Sequence, residues 1–201
     1  MDKGLLVVIS GPSGAGKGTI CKKLLNDMDD IKVSISATTR KPRIGEVEGE
    51  SYYFLEKEQF LEKIENEEFL EYAQVYGNYY GTLKKEVLKE IENGKNIILE
   101  IDIQGALEVK KNYPSGVFIF ILPPSINELK SRIEGRGTDS KDTILKRMDC
   151  VYDELGYAFQ YDYVVLNDDI NSAVEKVYNI INAEKLRSIR NQALINKIKE
   201  V

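Results

Sequence analysis

Histidine and tryptophan are absent from the 201 residues of this chain, and cysteine occurs only twice. Without an imidazole there is no Ser-His-Asp triad and no histidine general base. Cys21 and Cys150 stand alone, with no C-x-x-C spacing and no histidine partner, so a thiolate metal site is not expected and both are read as reduced thiols. Long apolar runs are also missing. Met1-Asp2-Lys3-Gly4 leads into a stretch ending at Ile9, too short for a signal peptide's apolar region and cleavage site, and nothing later could span a bilayer. A cytoplasmic location without membrane contact is expected. Positive charge is in deficit, with 28 Lys and Arg against 33 Asp and Glu, a formal net charge of −5. Counterion release needs an excess of cations, so nucleic-acid binding is not expected either.

What is present suits a soluble fold, with 42% hydrophobic and 30% charged residues. Five short apolar runs stand out: Leu5–Ile9, Ile31–Ile35, Asn96–Ile101, Val117–Leu122 and Tyr163–Leu166. They are continuous rather than alternating, which predicts strands buried on both faces of a parallel sheet. Helical patterns lie between them. Glu56–Asn66 carries Phe60, Leu61 and Ile64 on one face; Leu83–Asn93 carries Val87, Leu88 and Ile91, with Gly94 as its terminator. Ser125 and Glu128 are spaced as a capping box, and an apolar stripe from about Ile170 continues through Val174, Val177 and Ile181. Strands alternating with helices predict a three-layer α/β fold with a parallel sheet of about five strands. The Gly-, Tyr- and Arg-rich stretch Arg40–Gly81 breaks that rhythm and reads as an inserted lobe.

Gly11-Pro12-Ser13-Gly14-Ala15-Gly16-Lys17-Gly18-Thr19 follows the first run and opens a helix over Thr19–Asn26. This is G-x-x-x-x-G-K between a strand and a helix, the context a phosphate loop requires. Glycines allow the positive φ that turns successive N–H groups inward as an anion nest, and the lysine sets an ammonium against the β- and γ-phosphates. The hydroxyl usually found directly after the lysine, where it holds Mg²⁺, is missing: Gly18 sits there and Thr19 follows. Mg²⁺ would therefore rest mainly on phosphate oxygens, water and carboxylates elsewhere, and Thr19 would reach the α-phosphate. Glu100 and Asp102 close the third run at a strand's C-terminal end, where ligands of open α/β sheets bind.

The inserted lobe holds Ser36-Ala37-Thr38-Thr39-Arg40-Lys41-Pro42-Arg43, two guanidinium groups beside hydroxyls and suited to a second phosphate. It also holds Glu71, Tyr76, Tyr79, Tyr80 and Thr82 within one short stretch. In these segments, and in LEIDIQGA, RGTDS and VLNDD, the sequence resembles the guanylate kinase family along nearly its whole length. The resemblance implies a P-loop kinase fold and reversible transfer of the ATP γ-phosphoryl group to GMP, with Mg²⁺. It further implies a core of residues 1–35, 84–125 and 148–201, a GMP-binding lobe at 36–83 and a lid at 126–147. Carried over, Arg40, Arg43, Tyr52 and Tyr80 grip the GMP phosphate, and Ser36, Glu71 and Thr82 contact guanine. Tyr79 is left to packing. Glu100 and Asp102 also approach GMP, with base contact and metal work undivided between them. Lys17, Arg40, Arg43, Arg136 and Arg147 make up the catalytic set. Residues 11–19 with Arg132, Arg136 and Asn167 bind ATP, Asn167 near the adenine.

The chemistry of guanine agrees. A carboxylate such as Glu71 accepts from N1–H and the N2 amino group, while a hydroxyl of Ser36 or Thr82 donates to O6. Adenine would face that carboxylate with a lone pair, so discrimination on the order of 10⁴ is expected. No general base is needed, because the attacking oxygen belongs to a phosphate with a second pKa of about 6. Another small-molecule kinase of the same fold, or a scaffold module that binds peptides, remains as a rival reading. A regulatory GTPase does not, since no N-K-x-D motif is present. The oligomeric state and the preference between GMP and dGMP are left open.

Overall fold

The computed structural model describes residues 3–75, 77–134, 148 and 151–199. Five parallel strands form the central sheet in the order β2-β7-β1-β8-β9: β1 Leu6–Ser10, β2 Ile31–Val33, β7 Asn96–Glu100, β8 Val117–Leu122 and β9 Tyr163–Leu166. Successive side chains of a strand point to opposite faces, and the two faces carry two separate cores. Val7, Ile9, Ile98, Ile119 and Ile121 pack with Ile20 and Leu24 of α1 (Lys17–Asp27) and with Val174, Val177 and Ile181 of α6 (Ile170–Lys185). Leu6, Val8, Ile97, Leu99 and Phe118 pack with Val87 and Ile91 of α3 (Lys84–Glu92) and with Ala106 and Val109 of α4 (Ile103–Asn112). A run buried on both faces therefore has no polar alternate positions. Each such Val, Ile or Leu contributes about 1.5–3 kcal/mol of transfer free energy.

The expectation of burial on both faces holds for β1, β7 and β8 and fails at the margins. In β2 only Ile31 is buried, and in β9 Val164 and Leu166 are exposed. These are the edge strands of the sheet, with a neighbour on one side only. The apolar stripe from Ile170 also stops sooner than a single long helix would: α6 ends at Lys185, a 3-10 turn spans Ser188–Arg190, and α7 is a separate short helix, Gln192–Lys199. Buried Glu184 draws the chain back, accepting from Arg190 Nη2 at 3.0 Å and from the Tyr163 hydroxyl at 2.5 Å. Helix α4 has no counterpart among the sequence expectations, although Asp102 caps it by accepting from Gly105 N at 2.8 Å.

The inserted stretch forms a second, four-stranded sheet in the order β4-β3-β6-β5, with α2 (Lys57–Glu65) against it. Its strands are β3 Ala37–Thr38, β4 Tyr53–Phe54, β5 Phe69–Val75 and β6 Asn78–Leu83. The sheet is mixed, with β3 and β4 parallel and the β3–β6 and β5–β6 pairs antiparallel. Glu56 caps α2 in a box with Gln59, and Phe60 of that helix stacks on Phe69 and Tyr79 in a small core of its own. Helix α5 (Ile126–Glu134) starts with half of the expected box: Glu128 N donates to Ser125 Oγ at 3.1 Å, while the Glu128 carboxylate accepts from Arg132 Nε instead of closing back on the cap. Gly135, Arg136, Gly137, Thr138, Asp139, Ser140, Arg147 and Cys150 lie outside the described residues.

Candidate active site

The phosphate loop runs from the end of β1 into α1 at the C-terminal edge of the parallel sheet. Gly11, Gly14 and Gly16 have φ of +141°, +89° and +94°, a region L side chains rarely adopt, so the loop needs glycine at those places. Gly16 starts the helix, accepting from Thr19 N and Ile20 N at 3.1 Å each. Lys17 Nζ folds back along the loop and donates to the Gly11 and Pro12 carbonyls at 2.6 and 3.1 Å. Where the usual hydroxyl is missing, at Gly18, a Cβ would lie 3.2 Å from Glu100 Oε1. The Glu100 carboxylate thus stands directly beside the loop at Gly18.

Across from the loop, a β-bulge in β5 sorts three consecutive side chains to three destinations. The β5–β6 register shifts between Phe69 and Glu71. Phe69 faces the small core, Leu70 the large one, and Glu71 pairs with Thr82 on β6. Bulges re-aim side chains in this way, often beside functional sites. Glu71 is 9% exposed, and Thr82 Oγ1 donates to its Oε1 at 2.6 Å. Burial pushes the Glu71 carboxyl above its usual range, against the opposing pull of the Thr82 hydrogen bond. Because the Thr82 proton is committed to Glu71, Ser36 is left as the hydroxyl able to donate to a carbonyl oxygen. Ser36, Tyr52, Thr82 and Glu100 line one cleft of about 230 Å³. Gly105 stands between Glu71 and Asp102, where a Cβ would lie 3.4 Å from Glu71 Oε2 and 3.5 Å from Asp102 Oδ1. Glu100 thus stands between the phosphate loop and the cleft of Ser36 and Thr82, and Asp102 lies on the Glu71 side.

Strand alternation also separates the tyrosines. Tyr79 and Leu83 face Phe60, which leaves Tyr80 and Thr82 on the other face of β6. The Tyr52 ring meets Tyr80 edge-on at 6.2 Å, and the Arg40 guanidinium lies over Tyr52 at 5.4 Å. The hydroxyls next to Arg40 are structural. Thr38 Oγ1 donates to the Tyr79 carbonyl at 3.0 Å and accepts from Arg40 N at 3.2 Å, while Thr39 Oγ1 accepts from Tyr79 N at 2.9 Å. Arg43 is exposed on the following turn. Asn167 is buried beneath the phosphate loop, its Nδ2 donating to Ala15 O at 2.7 Å, and Arg132 Nη2 reaches the Asn167 carbonyl at 3.4 Å.

A larger cavity, about 720 Å³, lies at the opposite end of the sheet between Lys3–Leu5, Tyr113–Gly116 and the segment around Arg187–Ala193. No residue of either phosphate-binding segment lines it, so size does not mark the chemistry here.

A family model described as guanylate kinase matches residues 3–184. A guanylate kinase of Caldanaerobacter subterraneus subsp. tengcongensis is 59% identical over 98% of this chain and 96% of its own length. One from Clostridium tetani is 55% identical over 98% of this chain and 95% of its own. The chain belongs to the guanylate kinase family. Among solved structures, guanylate kinase from Anaplasma phagocytophilum aligns with a TM-score of 0.70 at 36% identity, over 94% of this chain and 90% of that one.

Two carboxylates at this guanylate kinase site follow no motif among those read in the sequence. Glu46 accepts from Arg40 Nη2 at 2.7 Å and from Arg43 N at 2.7 Å, so one side chain orients both halves of the arginine segment. The Arg40 guanidinium in turn holds the Glu46 carboxyl below its usual range. An acid three residues beyond Arg43, across the turn at Gly45, was the available signal. Glu154, in the helical stretch 151–156, faces the Ser13 backbone and the Lys17 ammonium, and burial pushes its carboxyl up. Nothing in its local sequence distinguishes it from a solvated helix residue.

Cys21 is on the buried face of α1, and burial pushes its thiol up to about 12, which makes it inert. Among the described residues no group of three or more His, Cys, Asp and Glu could hold a metal ion.

Proposed function

We propose that the chain transfers the γ-phosphoryl group of ATP to GMP, giving ADP and GDP, with the lobe of residues 36–83 as acceptor site and residues 11–19 as donor site. The single observation that carries the acceptor assignment is the buried Glu71 carboxylate, tied to Thr82 beside the cleft that holds Ser36. A buried carboxylate demands donors, and the N1–H and N2 amino group of guanine are two donors side by side. Asp102 stands near enough to Glu71 to share the amino group.

An oxygen of the GMP phosphate attacks the γ-phosphorus, and the bond to the β–γ bridging oxygen breaks, leaving ADP. Arg40, Arg43, Tyr52 and Tyr80 hold the attacking phosphate in line, with Glu46 setting the guanidinium of Arg40. Lys17 and the loop amides bind the donor phosphates, Thr19 reaches the α-phosphate, and Arg132, Arg136 and Arg147 take charge on the transferring group. Phosphate oxygens and water would hold Mg²⁺ at the mouth of the loop, with the Glu100 carboxylate beside Gly18 as a hard oxygen donor, and the ion would supply charge neutralisation of the polyphosphate. Among the described residues no helix is long and apolar enough to cross a membrane. We place the activity in the cytoplasm, in purine nucleotide metabolism.

The test is ADP release from MgATP with GMP, AMP, UMP, CMP or no acceptor. Fast release with GMP alone, with GDP as co-product, is expected. GMP binding without turnover would return the scaffold reading, and equal rates with AMP would remove Glu71 as the base-reading group.

A further inference from the structure

Asn167 directly follows β9 and is 4% exposed. Its backbone N–H donates to Leu122 O at 2.8 Å, which extends the β8–β9 ladder by one step. Its side chain turns under the phosphate loop, where Nδ2 donates to Ala15 O at 2.7 Å, and the same Nδ2 lies 2.3 Å from where a Cβ on Gly16 would stand. The Asn167 carbonyl accepts from Arg132 Nη2 at 3.4 Å, and Arg132 Nε is tied to Glu128 Oε1 at 3.1 Å. A continuous polar chain thus runs from α5 through Arg132 and Asn167 to the loop backbone.

The consequence follows from peptide planarity. In a trans peptide the C=O of one residue and the N–H of the next point in opposite directions. Fixing the Ala15 carbonyl toward the buried Asn167 amide therefore turns the Gly16 N–H away from the core, to the side where the loop meets phosphate. Rotation of that peptide would bury an unpaired carbonyl or aim it at an anion, and both are unfavourable.

We propose that Asn167 is a positioning residue of the donor-phosphate loop, which holds the Ala15–Gly16 peptide in the one orientation that offers its N–H to a polyphosphate. The proposal rests on the reading of residues 11–19 as the donor site. It differs from a contact with the adenine base, because its effect reaches a ligand that has no base. It also gives Gly16 a second requirement besides its backbone angle: any side chain there would displace the Asn167 amide.

The discriminating probe is inorganic tripolyphosphate with Mg²⁺, titrated calorimetrically beside MgATP and GMP. Asn167→Asp puts a carboxylate oxygen against the Ala15 carbonyl and should weaken tripolyphosphate binding on the order of a hundredfold. Asn167→Ala removes the bond without burying a charge and should weaken it about tenfold. ATP affinity should fall by the same factors, while GMP affinity stays within about twofold and reports an intact fold. Should Asn167→Asp fail to fold, Asn167→Ala alone decides. ATP binding weakened with tripolyphosphate unchanged would make Asn167 a base contact and overturn the positioning role, as would no change in either. Wild-type turnover with GMP is read in parallel: its absence would sink the kinase reading, whereas turnover with unaltered tripolyphosphate binding in Asn167→Ala sinks only the role of Asn167.

Discussion

The proposed donor and acceptor sides of the cleft are built by different means. Within residues 11–19 the proposed donor groups are backbone amides and one lysine, placed by a strand buried on both faces and a helix packed on it. On the acceptor side the groups are side chains from β3, the turn after it, β5 and β6, drawn together by a small mixed sheet with a few aromatic residues as its core. A backbone nest is local and tolerates exchange of most neighbouring side chains. The acceptor cleft depends on register, on one bulge, and on second carboxylates such as Glu46 that hold the first contacts in place. On the proposed reading, the donor side would supply rate and the acceptor side selectivity.

That division is broken most severely by Lys17→Ala. It should lower kcat for ATP-to-GMP transfer on the order of 10³ while the melting temperature stays close to wild type, measured by coupled ADP release and thermal unfolding. Retained turnover would remove the lysine from the charge-stabilising set.

Glu71→Gln should act on the other side alone. A loss in kcat/KM for GMP on the order of 10² is expected, with MgATP affinity unchanged in a direct titration. Stability should move the opposite way. Burial raises the Glu71 pKa above its ordinary 4.5, so the ionised carboxylate costs the fold free energy above the folded-state pKa, and that cost disappears as pH falls below the ordinary value. Glu71→Gln should be the more stable form by about 1 kcal/mol at neutral pH, with the gain vanishing in acid. In the wild type, GMP affinity should weaken as pH falls through the raised pKa. A destabilised Glu71→Gln would show that the pair with Thr82 matters more than the buried charge.

A smaller effect sharpens the role of supporting carboxylates. Glu46→Ala should raise KM for GMP about fivefold, with KM for ATP unaltered, because Arg40 loses the partner that orients it. The smallest functional effect belongs to Tyr79→Leu. Its ring stacks on Phe60 at 5.4 Å on the face of β6 away from the cleft, so about 1 kcal/mol of stability should be lost with kcat/KM within twofold of wild type.

The legibility of the two sides in the sequence differed for the same physical reason. The phosphate loop is contiguous, and its glycines, lysine and flanking elements could be recognised without knowing what packs beside them. Arg40, Tyr52, Tyr80 and Glu71 were legible as residue types around one lobe, and alternation along β6 then separated Tyr80 from Tyr79. The position of Glu154 against Ser13 and Lys17 was not legible, because it depends on a helix more than 130 residues further along the chain. The different positions of Glu100 and Asp102 needed their surroundings, Gly18 and the Ser36 cleft for one and Gly105 with Glu71 for the other.

Local chemistry determined the elements, the anion nest and the class of base that a lone carboxylate with hydroxyl neighbours can read. Tertiary structure decided what long-range packing alone can decide. It tied the Thr82 hydroxyl to Glu71 and so left Ser36 to donate, and it placed the Glu100 carboxylate beside Gly18. It also set Asn167 beneath Ala15, 152 positions away in the chain. Each of these is a contact between segments whose spacing in sequence carries no period, and a buried polar group takes whatever partner the fold brings to it.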